Sequence, residues 1–512
     1  MSRRALSAAL LLVVVAACDG GRSFKEPRTL AEWRPTRAVT SADVDPEEES
    51  FRTTPPARAA ARPQRAMSPI EVRLSNGVRV VMLERHDFPT VSAVLVLDRG
   101  ATAGPPGVAA LYSEAMTGSS TEFKSQEAWQ YLNYVGGSVG NQTWRDGVAL
   151  QITALSPLFV SALTRGAPMF ASPALDGDDI DEARTHLAAE AASEDEAPSM
   201  VAHDALYAEL FPPPHPYGTP VSGERARLGG RRSPADKKAA KVTDAAVKAF
   251  HASNLSADHV GVAVVGDFKP ESMQIVLEKA LGKLPRRAAS PSASALAAPA
   301  VPAKLARRVV VIDRPGAAQS NVAIGWPGPR ASEPDLVTLD VLAGATAGDL
   351  STRLNITVRK ELGASYGVHM TAAGFRDGGV VRIAAAIDTA RTTDALRGLF
   401  KELERLRTEP LAPAELGAAK LRSYEDLERG STRGLAAYLA HAIVEGLPPA
   451  HAVTHNARVD LVTAESVRAA AERYLGPDDA RVVIVGDASR ITEGLRSLGI
   501  GDVSVVSSAA AH

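Results

Sequence analysis

The hydrophobic pattern of this chain changes period several times, and the changes outline its elements. Apolar runs of strand length cover Val80–Arg85 and Val91–Asp98, and again Val310–Arg314 and Asn321–Trp326. Apolar residues recur at three- and four-residue spacing from Thr393 to Thr408 and from Pro413 to Glu428, the period of an amphipathic helix. Each pair of successive strands reads as a hairpin. Hairpins followed by long helical stretches predict an α+β class, with mostly antiparallel sheets covered by helices.

The pattern also repeats. Residues 242–267 align without a gap to residues 462–487, and ten of the 26 positions are identical. Each copy reads as a helix, a loop carrying Leu255 or Leu475 and Asp258 or Asp478, and an apolar strand that ends in Gly-Asp. A repeat this long is a duplicated domain rather than a solenoid unit. The expected organisation is two homologous domains over 67–285 and 306–500, joined by an Ala-, Ser- and Pro-rich linker at 286–305 and followed by a tail at 501–512.

Composition fits this scheme and narrows the partners. The chain has 512 residues, 45% of them hydrophobic and 23% charged, which suits a soluble globular protein of two or more domains. A net charge of −2 gives no electrostatic reason to expect nucleic acid. At the start, Arg3 and Arg4 precede an apolar run from Ala5 to Ala17, the form of a secretory signal and too short to span a bilayer comfortably. The single cysteine follows at once, and Val15-Ala16-Ala17-Cys18 resembles the bacterial lipobox. Residues 1–18 therefore read as a lipoprotein signal, with Cys18 lipidated and the mature chain held by acyl chains on the periplasmic side of the cell envelope. Residues 19–66, rich in Pro, Arg, Glu and Ser, read as a disordered tether.

The chemistry turns on Gly107-Val108-Ala109-Ala110-Leu111-Tyr112-Ser113-Glu114. This stretch resembles the active-site helix of the pitrilysin/insulinase zinc metallopeptidases, which reads Gly-x-Ala-His-x-x-Glu-His. Other segments agree in order along the chain: Leu74-Ser75-Asn76-Gly77-Val78-Arg79-Val80, Gly136-Gly137 with Asn141, His215-Pro216-Tyr217-Gly218-Thr219-Pro220, Asp313-Arg314-Pro315-Gly316, and Arg353-Leu354-Asn355 before Arg359 and Gly363-Ala364-Ser365-Tyr366. The resemblance covers about Val72 to Gly499, and it implies two homologous α+β domains that form a clam-like enclosure.

In that family two His residues four apart grip one Zn²⁺ and the Glu between them activates its water. Laid on the template, the first His is Ala110, the Glu is Ser113 and the second His is Glu114. The family's third ligand is a Glu some seventy to eighty residues on, and Glu190 is the positional match, either a remnant of that ligand or, among Glu182, Glu194 and Glu196, part of a solvated acidic helix, the reading the crowding favours. No catalytic or metal-binding residue is therefore expected, and no cofactor; zinc belongs to a catalytic partner. Neither His186 nor the His451/His455 pair, four apart on what reads as one helix face, supplies the missing motif. Asn141, Arg359 and Tyr366 match positions that contact substrate in catalytic relatives, although Arg359 and Tyr366 equally suit domain packing.

Three functions follow. The first is a non-catalytic homologue that binds or encloses peptide or unfolded polypeptide and pairs with a catalytic zinc peptidase as a heterodimer or heterotetramer, similar to the degenerate subunit of mitochondrial processing peptidase. The second is a structural or peptide-holding envelope protein without a proteolytic partner. The third is an active zinc metalloendopeptidase whose ligands lie elsewhere.

Overall fold

The computed structural model describes residues 67–222, 242–286, 307–424 and 430–507, apart from the side chains of 191, 192, 194–196 and 507. Cys18, the tether and almost all of the 286–305 linker lie outside the described residues.

The protein is an α+β fold built on two six-stranded sheets. The first contains β1 (Ile70–Arg73), β2 (Arg79–Glu84), β3 (Thr90–Leu97), β4 (Ser138–Thr143), β5 (Val148–Leu155) and β6 (Val260–Gly266), in the order β1-β2-β6-β3-β5-β4. The second contains β7 (Arg308–Asp313), β8 (Gln319–Gly328), β9 (Ser365–Gly374), β10 (Gly379–Asp388), β11 (Arg481–Gly486) and β12 (Asp502–Ser507), in the order β12-β7-β11-β8-β10-β9. Antiparallel pairing predominates, and β4 and β9 are corresponding edges.

The duplicated segments are structurally equivalent. Thr243 and Thr463 each accept a backbone hydrogen bond at the start of a helix, Asp244–Asn254 and Ala464–Tyr474. Leu255 and Leu475 are buried where those helices end, and β6 and β11 follow.

Two sequence expectations are corrected here. The runs that read as hairpins are not paired with each other, because β6 lies between β2 and β3, and β11 lies between β7 and β8. Each inserted strand runs parallel to one neighbour and antiparallel to the other. Its apolar side chains are buried along its length, so it fills the sheet centre rather than an edge. The 501–512 tail is also not merely a tail, since β12 pairs in parallel with β7 and completes the second sheet.

One face of each sheet carries the helices of its own half, including Val108–Ala115 and Ser156–Ala171 on the first and Thr392–Thr408 and Ala464–Tyr474 on the second. The opposite face is covered by a helix from the other half. Pro198–Leu210 buries Ala202, Leu206 and Leu210 against Val310, Ala323 and Val483 of the second sheet. Thr432–Val444 buries Leu435, Leu439 and Ile443 against Val81, Val96 and Ala263 of the first.

Glycines let the exchanged helices come close. A Cβ on Gly261 of β6 would stand 2.4 Å from Ile443 Cγ2, and one on Gly325 of β8 would stand 2.9 Å from Leu206 Cδ2. Among the described residues no helix is long and apolar enough to cross a membrane.

Candidate functional site

The helix Val108–Ala115 begins at Gly107, which has φ 85°, and is buried along nearly its whole length. Ala110 is 5% exposed and Ser113 is fully buried, so neither presents a group to solvent. Asn141 of the edge strand β4 faces them. Its Nδ2 donates to Ser113 Oγ at 3.3 Å and to Glu114 Oε2 at 2.9 Å. The other carboxylate oxygen, Glu114 Oε1, lies 3.0 Å from Nδ1 of His186 on the helix Gly177–Glu196. The structure thus brings together Ser113, Glu114 and Asn141, with His186 as the fourth member.

Glu190 is not part of this group. It lies one turn beyond His186, is exposed, and makes no ion pair among the described residues. The helix register explains the difference: four residues advance the chain by about one turn, so the helix that offers His186 to Glu114 carries Glu190 past it.

These residues do not fit a zinc ion. A catalytic zinc site takes three protein ligands and keeps one position for water. Here Ala110 has no donor atom, the Ser113 hydroxyl is committed to Asn141, and Glu114 is already bonded on both oxygens. No group of three His, Cys, Asp or Glu suited to a metal occurs among the described residues.

The His451/His455 pair also differs from the sequence reading. The chain turns at Thr454, so the two residues lie on separate short helices, Pro449–Val453 and His455–Asp460. His455 is buried with Nε2 2.9 Å from the Ser423 carbonyl oxygen, while His451 Nε2 lies 3.0 Å from Arg458 Nη1. Burial, then the charges of Arg458 and His455, push the His451 imidazole down to about 4.

Tyr366 lies at the start of the other edge strand, β9, and Arg359, on the preceding helical turn Ile356–Glu361, sits beside it. The Arg359 guanidinium lies over the Tyr366 ring at 4.5 Å, and its Nη1 donates to the Tyr366 carbonyl oxygen at 3.0 Å. Tyr366 is 85% exposed. Asn355 fixes this strand end: its Oδ1 accepts from Val368 N at 2.8 Å and its Nδ2 donates to Val368 O at 3.1 Å.

The His-Pro-Tyr-Gly segment has a structural role between the halves. Tyr217 is buried, and its hydroxyl donates to Asp146 Oδ2 at 2.9 Å while accepting from Asp377 N at 3.1 Å. Desolvation, followed by the nearby Asp146 charge, pushes the Tyr217 phenol well above its usual range. Arg376 N also donates to Asp146, at 3.1 Å, and the Arg376 side chain bonds the carbonyls of Asp98, Asp146 and Val444. Arg145 caps the Tyr217 and Thr219 carbonyls and lies 4.2 Å from the Tyr207 ring centre. The turn between β9 and β10 is therefore clamped onto the first half. Sequence reading missed Asp146, Arg145 and Arg376, because no local pattern marks a clamp whose members lie hundreds of residues apart.

Comparison with known proteins agrees with this architecture. Residues 79–220 match the family model described as Insulinase (Peptidase family M16), and residues 241–422 match that described as Peptidase M16 inactive domain. An uncharacterized zinc protease of Mycobacterium tuberculosis is 26% identical over 374 residues, covering 71% of this chain and 81% of the relative. A crystal structure of a peptidase M16 inactive domain from Pseudomonas fluorescens superposes with a TM-score of 0.72 at 21% identity, covering 82% of this chain and 98% of that one. A chain of Complex III2 from Candida albicans superposes with a TM-score of 0.68 at 16% identity, covering 84% of this chain and 99% of that one.

Proposed function

Because this chain belongs to the M16 insulinase family of peptidases, we propose that it is a non-catalytic member, one that holds or encloses peptide beside a catalytic zinc-bearing homologue at the cell envelope. The observation that carries this reading is the closed set of contacts around Glu114. Its carboxylate bridges Asn141 and His186 at the position where the family pattern has a zinc ligand, and the neighbouring Ala110 and Ser113 supply neither a ligand nor a base. A positioned general base contributes roughly 10²–10⁴-fold to a rate. Without a metal-activated water there is no nucleophile for it to act on.

Two features support peptide holding. Among the described residues β4 and β9 are edge strands, each paired on one side only, and the other side can accept an extended chain by backbone pairing. At the start of β9, Arg359 and Tyr366 offer a cation and an exposed aromatic ring in fixed geometry. The lipobox-like Cys18 supports an envelope location, with acyl chains rather than a helix as the anchor.

The test is purification from the native membrane with mild detergent, followed by assay on an unfolded polypeptide. The proposal expects an M16 homologue with an intact His-x-x-Glu-His to copurify, and chelator-sensitive cleavage to reside in that partner. Chelator-sensitive cleavage by this chain alone would refute it.

A further inference from the structure

A cleft of about 460 Å³ opens on the face of the first sheet opposite the Glu114 site, and both halves build it. It is lined by Gln142 of β4, by Trp144 just beyond it, by Tyr438 and His441 of the helix Thr432–Val444, by Gly374 at the end of β9, and by Glu445 at the helix C-cap. The remaining surface is mostly apolar. His441 and Trp144 stack at 4.1 Å between ring centroids, which gives the cleft an aromatic floor.

Glu445 is the exceptional group. Its Oε2 is buried and has no hydrogen-bond partner among the described residues. Arg376 stands close enough to influence it, but its guanidinium is spent on the carbonyls of Asp98, Asp146 and Val444. Glu445 nevertheless lines the cleft, so a donor held there can meet its carboxyl group, although Oε2 itself is sealed from solvent. The helix terminus adds to this, since the C-terminal end of a helix favours positive charge and disfavours a carboxylate.

We propose that this cleft is a binding site for an organic cation, an ammonium or guanidinium on an apolar stem, whose N–H donates to Glu445 while its stem lies against Trp144 and Tyr438. The aromatic faces suit a cation as well as a hydrocarbon. The charged groups that act on Glu445 are of both signs, and Arg145 stands beside Asp146. Asp146 and Asp377 act on it as anions and Arg376 as a cation, while burial pushes the imidazoles of His441 and His451 below their usual value and so favours their neutral form. Burial first, then Asp146, push the Glu445 carboxyl up to about 8, so at neutral pH it carries a proton. Cation binding ionises it, and the proton leaves to solvent as the ligand N–H bonds the carboxylate where it lines the cleft. The site does not depend on the peptide-holding reading, since it needs neither backbone pairing nor a partner.

The experiment is titration calorimetry of the full chain at pH 7 in two buffers of different ionisation enthalpy. The probes are phenethylammonium, Nα-acetyl-lysine N-methylamide and the neutral isostere 2-phenylethanol. Release of about 0.9 proton per cation is expected from a carboxyl near pKa 8. Glu445→Gln, which keeps the shape of the neutral acid, is expected to weaken binding at least tenfold, and 2-phenylethanol is expected to bind at least tenfold more weakly than its amine counterpart. Tighter binding of phenethylammonium supports a free amine as the natural ligand, and tighter binding of the lysine diamide supports a basic peptide side chain. Equal binding of the alcohol, cation binding without proton release, or no cation binding at about 10 mM would each overturn the proposal, and none depends on the variant folding.

Discussion

Glu114 and His186 meet at 3.0 Å between a buried helix and a largely exposed one, and Asn141 holds the far side of the same carboxylate at 2.9 Å. The pair closes what in the family pattern is a metal site. With His186 66% exposed, the contact is screened by water and contributes little to stability. His186→Ala is expected to change unfolding free energy by less than about 1 kcal/mol in urea titration. A loss several times larger would show that the pair is a structural linchpin instead.

Tyr217→Phe tests the clamp between the halves. It removes a hydroxyl that donates to Asp146 and accepts from Asp377 N, leaving the buried carboxylate one donor short. The expected cost is about 1–3 kcal/mol in chemical denaturation. Faster hydrogen exchange should follow in the β9–β10 turn around Arg376, whose backbone shares that carboxylate. An unchanged exchange pattern would contradict the role given to this segment.

The exchanged helices should be the main mechanical link. Leu439 and Leu206 are buried against the sheet of the opposite half. Each, changed to Ala, is expected to cost about 2–5 kcal/mol, the usual range for a buried leucine. Because each helix covers the other half's sheet, either variant should lower the unfolding midpoint reported by probes in both halves. Destabilisation confined to one half would count against the exchange.

Much of this was legible in the residues, and the failures share one cause. Strand-length apolar runs, the repeat at 242–267 and 462–487, and the Gly107 to Glu114 frame were local patterns, visible without tertiary information. The pairing of β2 with β6 was not, because it joins residues 79–84 to residues 261–266 and adjacent apolar runs look alike whether or not they pair. The contact of His186 with Glu114 was hidden at finer scale: counting residues reaches the right helix but not the turn that meets Glu114. The cleft was invisible because Gln142, Gly374 and Glu445 meet only through helix exchange.

Glu445 gives the clearest pH dependence. Its carboxyl, raised to about 8 by burial and then by Asp146, keeps its proton in the folded state after the unfolded chain, near 4.5, has lost it. Its contribution to stability is full below about 4.5 and is lost progressively as pH rises to about 8. His203 and His451, held neutral mainly by burial with values of about 3 and 4, act in the opposite sense: their contribution is present above the unfolded value of 6.5 and lost on acidification. From pH 6.5 to 8, therefore, His203 and His451 contribute little, His86, raised by its bonds to Asp267 and Glu84, acts alike in both proteins, and the wild type should lose up to about 2 kcal/mol that Glu445→Gln does not lose. Equal slopes for the two proteins would contradict the burial assigned to Glu445.

The central claim, that this family member lacks the zinc chemistry of its fold, is tested most directly by the metal content of the protein purified after growth with zinc. Mass-spectrometric metal analysis is predicted to find less than about a tenth of an equivalent, since Ala110, Ser113 and the occupied Glu114 leave no three-ligand set. One tightly held equivalent of zinc, lost on Glu114→Ala or His186→Ala, would contradict the account.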